Sequence, residues 1–355
     1  MAKQNNTKSD YMSEKMDEQL GQLEDKITVL YANASYEVNQ EWAKFSDTFK
    51  AKDATMLEKL ENGEITQAEY TLWRNKNILQ TDMYKATVSH MTDILTQSDI
   101  TAMAMVNDEM PAVVAENYNF VQALGWKEAD EAGLSVGTFQ IYNAESVQKI
   151  VRDNPDLLKS VDVAEDKKWN KDHINREITT GIIKGESIPK VADRLARVTD
   201  MDKNSAVRNA RTAMTYAENL GRTESAEKLK DMGIPEEEVW SATYDNRVRE
   251  SHLLLDGTKR DENGLFGVGI LATPLRCPAD PNGDPEEIYN CRCRLNLVLQ
   301  GIDHSKDADL YEQFMKENYP EDWKALNESK NYQEKQEQRY QATQAKADLE
   351  ANRRK

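Results

Sequence analysis

Between Met16 and Phe49 the apolar residues fall three or four apart: Met16, Leu20, Leu23, Ile27, Leu30, Ala34, Val38, Trp42, Phe45 and Phe49. That spacing draws one continuous stripe along a single long α-helix. A helix with one apolar stripe is stable only when the stripe is covered by other helices. Composition points the same way, since 39% of the 355 residues are apolar and 31% are charged. Such a balance suits elongated helices that bury one face and wet the rest, and it cannot fill a large globular interior. Asn62-Gly63 breaks the stripe, and Thr66-Gln67-Ala68-Glu69 reads as a capping box that opens the next helix. Two long helices joined this closely are expected to pack antiparallel. The expected fold class is mainly α, with long N-terminal helices packed as hairpins and a C-terminal α+β unit.

Along the chain, residues 1–14 are polar and expected to be disordered, and 15–130 form the helical region. Met110-Pro111 puts a proline at a helix start, so a separate helix is expected from there to about Leu124. Gly125, Gly133 and Gly137 mark a looser stretch, with Thr138 to Tyr142 as a short strand or extended segment. Residues 131–160 are read as a linker or small subdomain. From Asp166 the helical period returns: Trp169, Ile174, Ile178 and Ile182 line a helix that stops at Gly185. Ser187 can cap a second helix carrying Val191 and Leu195, and a further helix is expected from about Asp202 to Met232. Val239 to Tyr244 then reads as a strand, Asp245-Asn246 as a turn, and Arg249 to Leu255 as a short helix ending at Gly257. The stretch 257–290 is long for a connector, and loops of that size are usually functional or tied down. From 291 to 300 the residues alternate, with Cys291 and Cys293 sharing the parity of Leu295, Leu297 and Leu299, so both thiols should face inward. Residues 161–302 are read as one unit and 303–355 as a polar tail, helical or disordered, whose part beyond 325 is Gln, Lys, Glu and Ala and too short for another catalytic domain.

A net charge of -17 argues against a general grip on nucleic acid. Arg194, Arg197, Arg208 and Arg211 gather locally, but read as a helix face paired with carboxylates. The joint Lys184-Gly185-Glu186-Ser187-Ile188-Pro189 has a helix-turn-helix outline, and packing suits it better than DNA. No secretory apolar core and no long apolar run is present, so no membrane partner is expected, and the protein should be assembled in a cytoplasm that keeps thiols reduced. His90, Met103 and Met105 read as packing residues.

All three cysteines, Cys277, Cys291 and Cys293, lie within one short stretch, shortly after His252. His252, Cys277, Cys291 and Cys293 match the count of a Cys3His zinc site. In a regular strand, however, Cys291 and Cys293 would have Cα atoms about 7 Å apart, wide for one metal. Structural zinc, reduced core thiols and a disulfide all stay open. A catalytic alternative places Asp256 four residues after His252 to orient it, Arg249 on the same face, and a thiol as nucleophile. Inward-facing thiols oppose that reading, and no catalytic residue is assigned. In the structural reading Arg247, Arg249, His252, Asp256, Gly257, Asn290, Cys291, Arg292 and Cys293 pin one turn-rich segment.

An ordered set of elements also runs through 165–300. It comprises Gly185-Glu186-Ser187, Arg211-Thr212, Ala217-Glu218-Asn219 and the run Thr243-Tyr244-Asp245-Asn246-Arg247-Val248-Arg249. It continues with His252, Leu255-Asp256-Gly257, Phe266, Pro274 and Asn290-Cys291-Arg292-Cys293. In that order the segment resembles the phage head morphogenesis domain of Mu F-like minor head proteins. Ala213 departs from the pattern, in which many members carry a glutamate after the Arg-Thr pair. The resemblance implies a virion component of few copies, in the head interior or at the portal vertex. It would associate with the portal protein and other head or scaffold proteins, take part in head assembly and influence DNA packaging or ejection. Packaged DNA is the partner the net charge does not favour. The alternatives are a Cys/His-dependent enzyme delivered with the virion and a nucleic-acid-binding head protein. Zinc is the one cofactor considered.

Overall fold

A computed structural model describes residues 11–135, 138–155, 157–158, 166–234, 236–299 and 306–324. The expectations for residues 1–10 and for the tail from 325 onward lie outside these. The stripe of the first helix forms as its spacing requires: α1 spans Tyr11–Glu61 and buries Met16, Leu23, Ile27, Ala34, Val38, Trp42, Phe45 and Phe49. It ends at Gly63, whose φ of 75° suits glycine and turns the chain. The capping box is present at the start of α2 (Gln67–Arg74). Thr66 Oγ1 accepts from the Glu69 N–H at 3.2 Å, and Glu69 Oε2 accepts from the Thr66 N–H at 2.8 Å. A π-helical turn (Asn75–Leu79) leads to α3, Asp82–Glu131. At 1.5 Å per residue α1 and α3 are each about 75 Å long.

Contacts between α1 and α3 fix their antiparallel register, from Phe45 on Tyr84, through Tyr31 donating to Asp99 Oδ1 at 2.5 Å, to Lys15 on Glu116. Pro111 does not start a helix: α3 runs through it. A proline has no N–H for the carbonyl one turn back, but burial of Met110, Val113 and Val114 on either side carries the helix across. From Val113 to Gly125 every residue of α3 is buried, because this half is wrapped by other elements.

α4 (Ala144–Asp153), capped by Asn143 on the Ser146 N–H at 2.8 Å, packs on α3 within the stretch expected as linker or subdomain. Residues 138–143 before it form no regular element. α5 (Asp166–Ile183) buries Ile174, Ile178 and Ile182 and runs antiparallel to α3, with Lys167 on Asp93 and Tyr84 on Asn175. The two helices expected from Ser187 to Met232 are one, α6, Ile188–Asp231. Val191, Leu195, Val198, Asp202, Ala206 and Ala210 keep one buried stripe across the expected break, so nothing interrupts the helix. Ser187 holds the N-cap position without a side-chain capping bond; Pro189 sits in the first turn. α6 runs parallel to α3, and Gly221 lets the two backbones meet: a Cβ there would lie 2.3 Å from the Val114 carbonyl oxygen.

Among the described residues two apolar cores result. The distal one joins the far halves of α1 and α6 and the start of α3 to α5. The proximal one joins the remainder of the bundle to a two-stranded antiparallel sheet, β1 (Glu236–Ser241) and β2 (Arg294–Leu299), with Trp240 opposite Leu295. β1 starts and ends three residues earlier than expected. Arg260 holds Glu238 at 2.8 Å, so that carboxylate can enter the strand, and Asp256 takes the Ala242 N–H and stops the ladder. Two short helices, α7 (Glu250–Leu255) and α8 (Pro285–Ile288), lie between the strands. α9 (Asp307–Asn318) returns to α3, with Tyr311 on Phe120 and Phe314 on Trp126. Among the described residues no helix is long and apolar enough to cross a membrane.

Candidate functional site

Where β1 ends, the chain has to turn back under Trp240. Gly257, at φ 74°, does so and donates its N–H to the Trp240 carbonyl at 2.8 Å. Asp256 Oδ1 accepts from the Ala242 N–H at 2.9 Å, and its other oxygen accepts from Tyr244. These bonds anchor α7 and aim His252, 1% exposed, at the indole of Trp240 in an edge-to-face contact of 5.2 Å.

The long loop after Gly257 is tied to itself. Phe266 and Leu275 exchange backbone bonds at 2.7 and 3.0 Å, and Asp261 and Asp280 each accept from backbone N–H groups two and four residues away or nearby. Asn290 then adopts φ 56°, donates its N–H to Thr212 Oγ1 at 3.0 Å and accepts from Arg211. That turn delivers Cys291 and Cys293 into the interior in irregular backbone just before β2. The flanking arginines act outside the cluster. Arg292 grips Asp245 with both guanidinium nitrogens, while Arg249 donates to the Tyr289 carbonyl at 2.5 Å. Arg247 is exposed, and its backbone N–H bonds to Asp245 at 2.8 Å.

His252 Nδ1 lies 3.3 Å from Cys293 Sγ and 3.7 Å from Cys291 Sγ. Potential ligand atoms of these three residues all fall within 4.8 Å of one another. Cys277 is buried as well but stands outside that group. A hydrogen bond from Cys293 holds the Cys291 thiol below its usual range, and the same bond, with burial, pushes Cys293 up; burial pushes Cys277 up too.

Asp256 is engaged by Ala242 and Tyr244, and the carboxylate at the imidazole is Glu287 of α8. Its Oε2 sits 3.0 Å from His252 Nε2, off the N–H axis, so the contact is ionic in distance but not an aligned hydrogen bond. Ser251 Oγ donates to that same oxygen at 2.9 Å. Glu287 follows no periodic signal, and its role depends on the fold of the loop. So does that of Arg222, which donates to Asn117 Oδ1 at 3.0 Å, to the Leu295 carbonyl at 3.1 Å and to Ser13 Oγ at 3.0 Å. Asn219 brackets Cys293, donating to its carbonyl at 3.2 Å and accepting from the Leu295 N–H at 2.7 Å.

Residues 172–296, which include the whole His252, Cys291 and Cys293 cluster, match the family described as Phage Mu protein F like protein. The minor head protein GP7 of Bacillus phage SPP1 is 26% identical over 288 residues, 79% of this chain and 87% of that protein. An NAD(+)--arginine ADP-ribosyltransferase, EFV, of Enterococcus faecalis is 30% identical over 131 residues, 37% of this chain. An uncharacterised protein of Haemophilus influenzae is 26% identical over 180 residues, 50% of this chain. The chain spans only 26% of the length of the Enterococcus protein and 35% of the Haemophilus one. No solved structure matches it. The matched segment holds the cysteine cluster and the likeness to the phage SPP1 minor head protein reaches well beyond it, so the chain resembles the Mu F-like phage head proteins.

Proposed function

We propose that the protein is a minor head protein that docks on the portal and contacts other head or scaffold proteins during head assembly, and that it resides in the virion. The observation that carries this reading is the alignment with minor head protein GP7 over 79% of the chain, more than twice the length of the 172–296 segment. The likeness therefore takes in helices of the bundle as well as the cysteine unit. Helices about 75 Å long, wet on their outer face, offer an extended docking surface rather than an enclosed substrate site.

The role is structural. A thiol nucleophile needs an accessible, electropositive pocket, whereas Cys277, Cys291 and Cys293 are each no more than 2% exposed, and Asp256 is engaged away from His252. Co-expression with the portal protein of the same phage tests the reading. The chain should co-purify with the portal and enter procapsids. A folded chain absent from both portal and heads would sink it. Incubation with NAD+ should release no nicotinamide, and DNA binding at low salt should be flat.

A further inference from the structure

We propose that His252, Cys291 and Cys293 hold a zinc ion through three protein donors, with Cys277 outside the site and Glu287 orienting the imidazole. Zinc bonds of about 2.0 Å to nitrogen and about 2.3 Å to sulfur, set at a tetrahedral angle, place a nitrogen and a sulfur about 3.5 Å apart. His252 Nδ1 lies 3.3 and 3.7 Å from the two sulfurs, so both edges already have that length. A single hydrogen bond would bring the nitrogen to one sulfur; here it faces both. The spacing objection to a Cys-x-Cys pair in a regular strand is lifted, because residues 291–293 precede β2 and are not paired in it.

The surroundings are arranged for the same donors. Among the described residues the only non-glycine positions with positive φ are Ala279, at 63°, and Asn290, at 56°. Such backbone persists where surrounding structure over-determines it, and both positions adjoin Cys291. The backbone N–H groups of Ala279 and Cys293 face the Cys291 sulfur. On the far side of the ring, Glu287 faces Nε2 at 3.0 Å and is itself held by Ser251. A carboxylate at that distance, though off the N–H axis, favours by its charge the tautomer with the proton on Nε2 and leaves the Nδ1 lone pair for the metal. No fourth His, Cys, Asp or Glu joins the group among the described residues, so the remaining corner falls to a water molecule. The donors are 1 to 2% exposed, which keeps substrate from that corner and makes the ion a clasp between α7 and the start of β2.

Elemental analysis of the full chain, purified under reducing conditions without chelator, should give one zinc per chain. Cobalt exchanged into it should develop thiolate-to-cobalt charge-transfer bands and the visible bands of a tetrahedral ion. Cys277→Ser should keep the full zinc content, Cys293→Ser should lose it, and Glu287→Gln should weaken affinity about 10- to 100-fold. If Cys293→Ser does not fold, the wild-type chain decides alone: a thiol-specific reagent should trap two more thiols after chelation than before. A zinc-free wild-type chain that takes up no cobalt would overturn the proposal. So would a Cys291–Cys293 disulfide in the reduced preparation, or loss of zinc in Cys277→Ser.

Discussion

At the distal end of the bundle, Trp42, Phe45 and Phe49 of α1 meet Tyr84 and Val88 of α3 and Ile174 and Ile178 of α5. At the proximal end the same α1 and α3 meet α6 and β2 around Arg222, whose side chain is 1% exposed and bonded to Ser13, Asn117 and the Leu295 carbonyl. Glu218 lies beside it at 3.2 Å and also receives Arg294 at 3.2 Å. The distal contact is mainly an apolar seam, bordered by Arg74 on Asp53 and the Ile182 carbonyl, and within the seam each side chain has many interchangeable neighbours. The proximal contact is a polar joint between segments some two hundred residues apart, where each group has specific partners. Apolar seams fail gradually as volume is lost, whereas a buried charge stripped of its partner costs several kcal/mol at once.

The largest effect should therefore come from Arg222→Met. It removes the cation from Glu218 and leaves the Leu295 carbonyl and Asn117 Oδ1 without that donor, for a cost of about 3–5 kcal/mol. Urea unfolding followed by far-UV circular dichroism measures it; a loss below about 1 kcal/mol would mean the joint is held by its apolar rim. Gly221→Ala should come next. Its Cβ would meet the Val114 carbonyl at 2.3 Å and Asn117 Cβ at 3.0 Å, so α3 and α6 must part, at about 2–3 kcal/mol. An unchanged midpoint would show that the helices separate there freely.

The contrast explains which parts could be read from sequence. The stripe of α1, the capping box at Thr66 and the isoleucines of α5 are local patterns, and each forms as its spacing predicts. The inward parity of Cys291 and Cys293 holds for the same reason, since alternation survives even where the backbone leaves the ladder. Pro111 lies inside a helix because packing on both sides outweighs one missing hydrogen bond, and the continuity of α6 is hidden in sequence by Asp202 among the apolar positions of its stripe. The carboxylate at His252 was out of reach. Asp256 had the helical spacing, but its oxygens go to Ala242 and Tyr244, and Glu287 arrives only through the folded loop. Ser13 and Arg222 meet across 209 residues of chain, with no periodicity to announce it.

The proximal end also holds a carboxyl that its surroundings do not satisfy. Burial, reinforced by Glu238, pushes Glu236 up to about 7, and its Oε2 has no hydrogen-bond partner. In the unfolded chain the group ionises near 4.5, so between these values the folded state binds more protons, and stability falls as pH rises through that window. Glu236→Gln should flatten this dependence, gaining about 1–2 kcal/mol at pH 8 relative to the wild type once solvent screening is allowed for, and little at pH 4. Thermal unfolding across that range decides it. A parallel pH profile in both proteins would mean the carboxyl reaches water.

The smallest effect belongs to the distal seam. Ile178→Val removes one methylene from a fully buried side chain amid the aromatic residues of α1 and α3, and should cost about 0.5–1.5 kcal/mol. Its use lies in combination. Ile178 and Arg222 belong to different ends of a bundle whose helices rise about 1.5 Å per residue, with no shared neighbour. Sites so far apart should add to within about 0.5 kcal/mol. A double variant with Arg222→Met that falls on the sum means the seam and the joint are energetically separate, and either end can rearrange on a partner without loosening the other. A shortfall larger than that would mean the long helices transmit strain between the ends, and the contrast between the two regions would then be one of chemistry but not of mechanics.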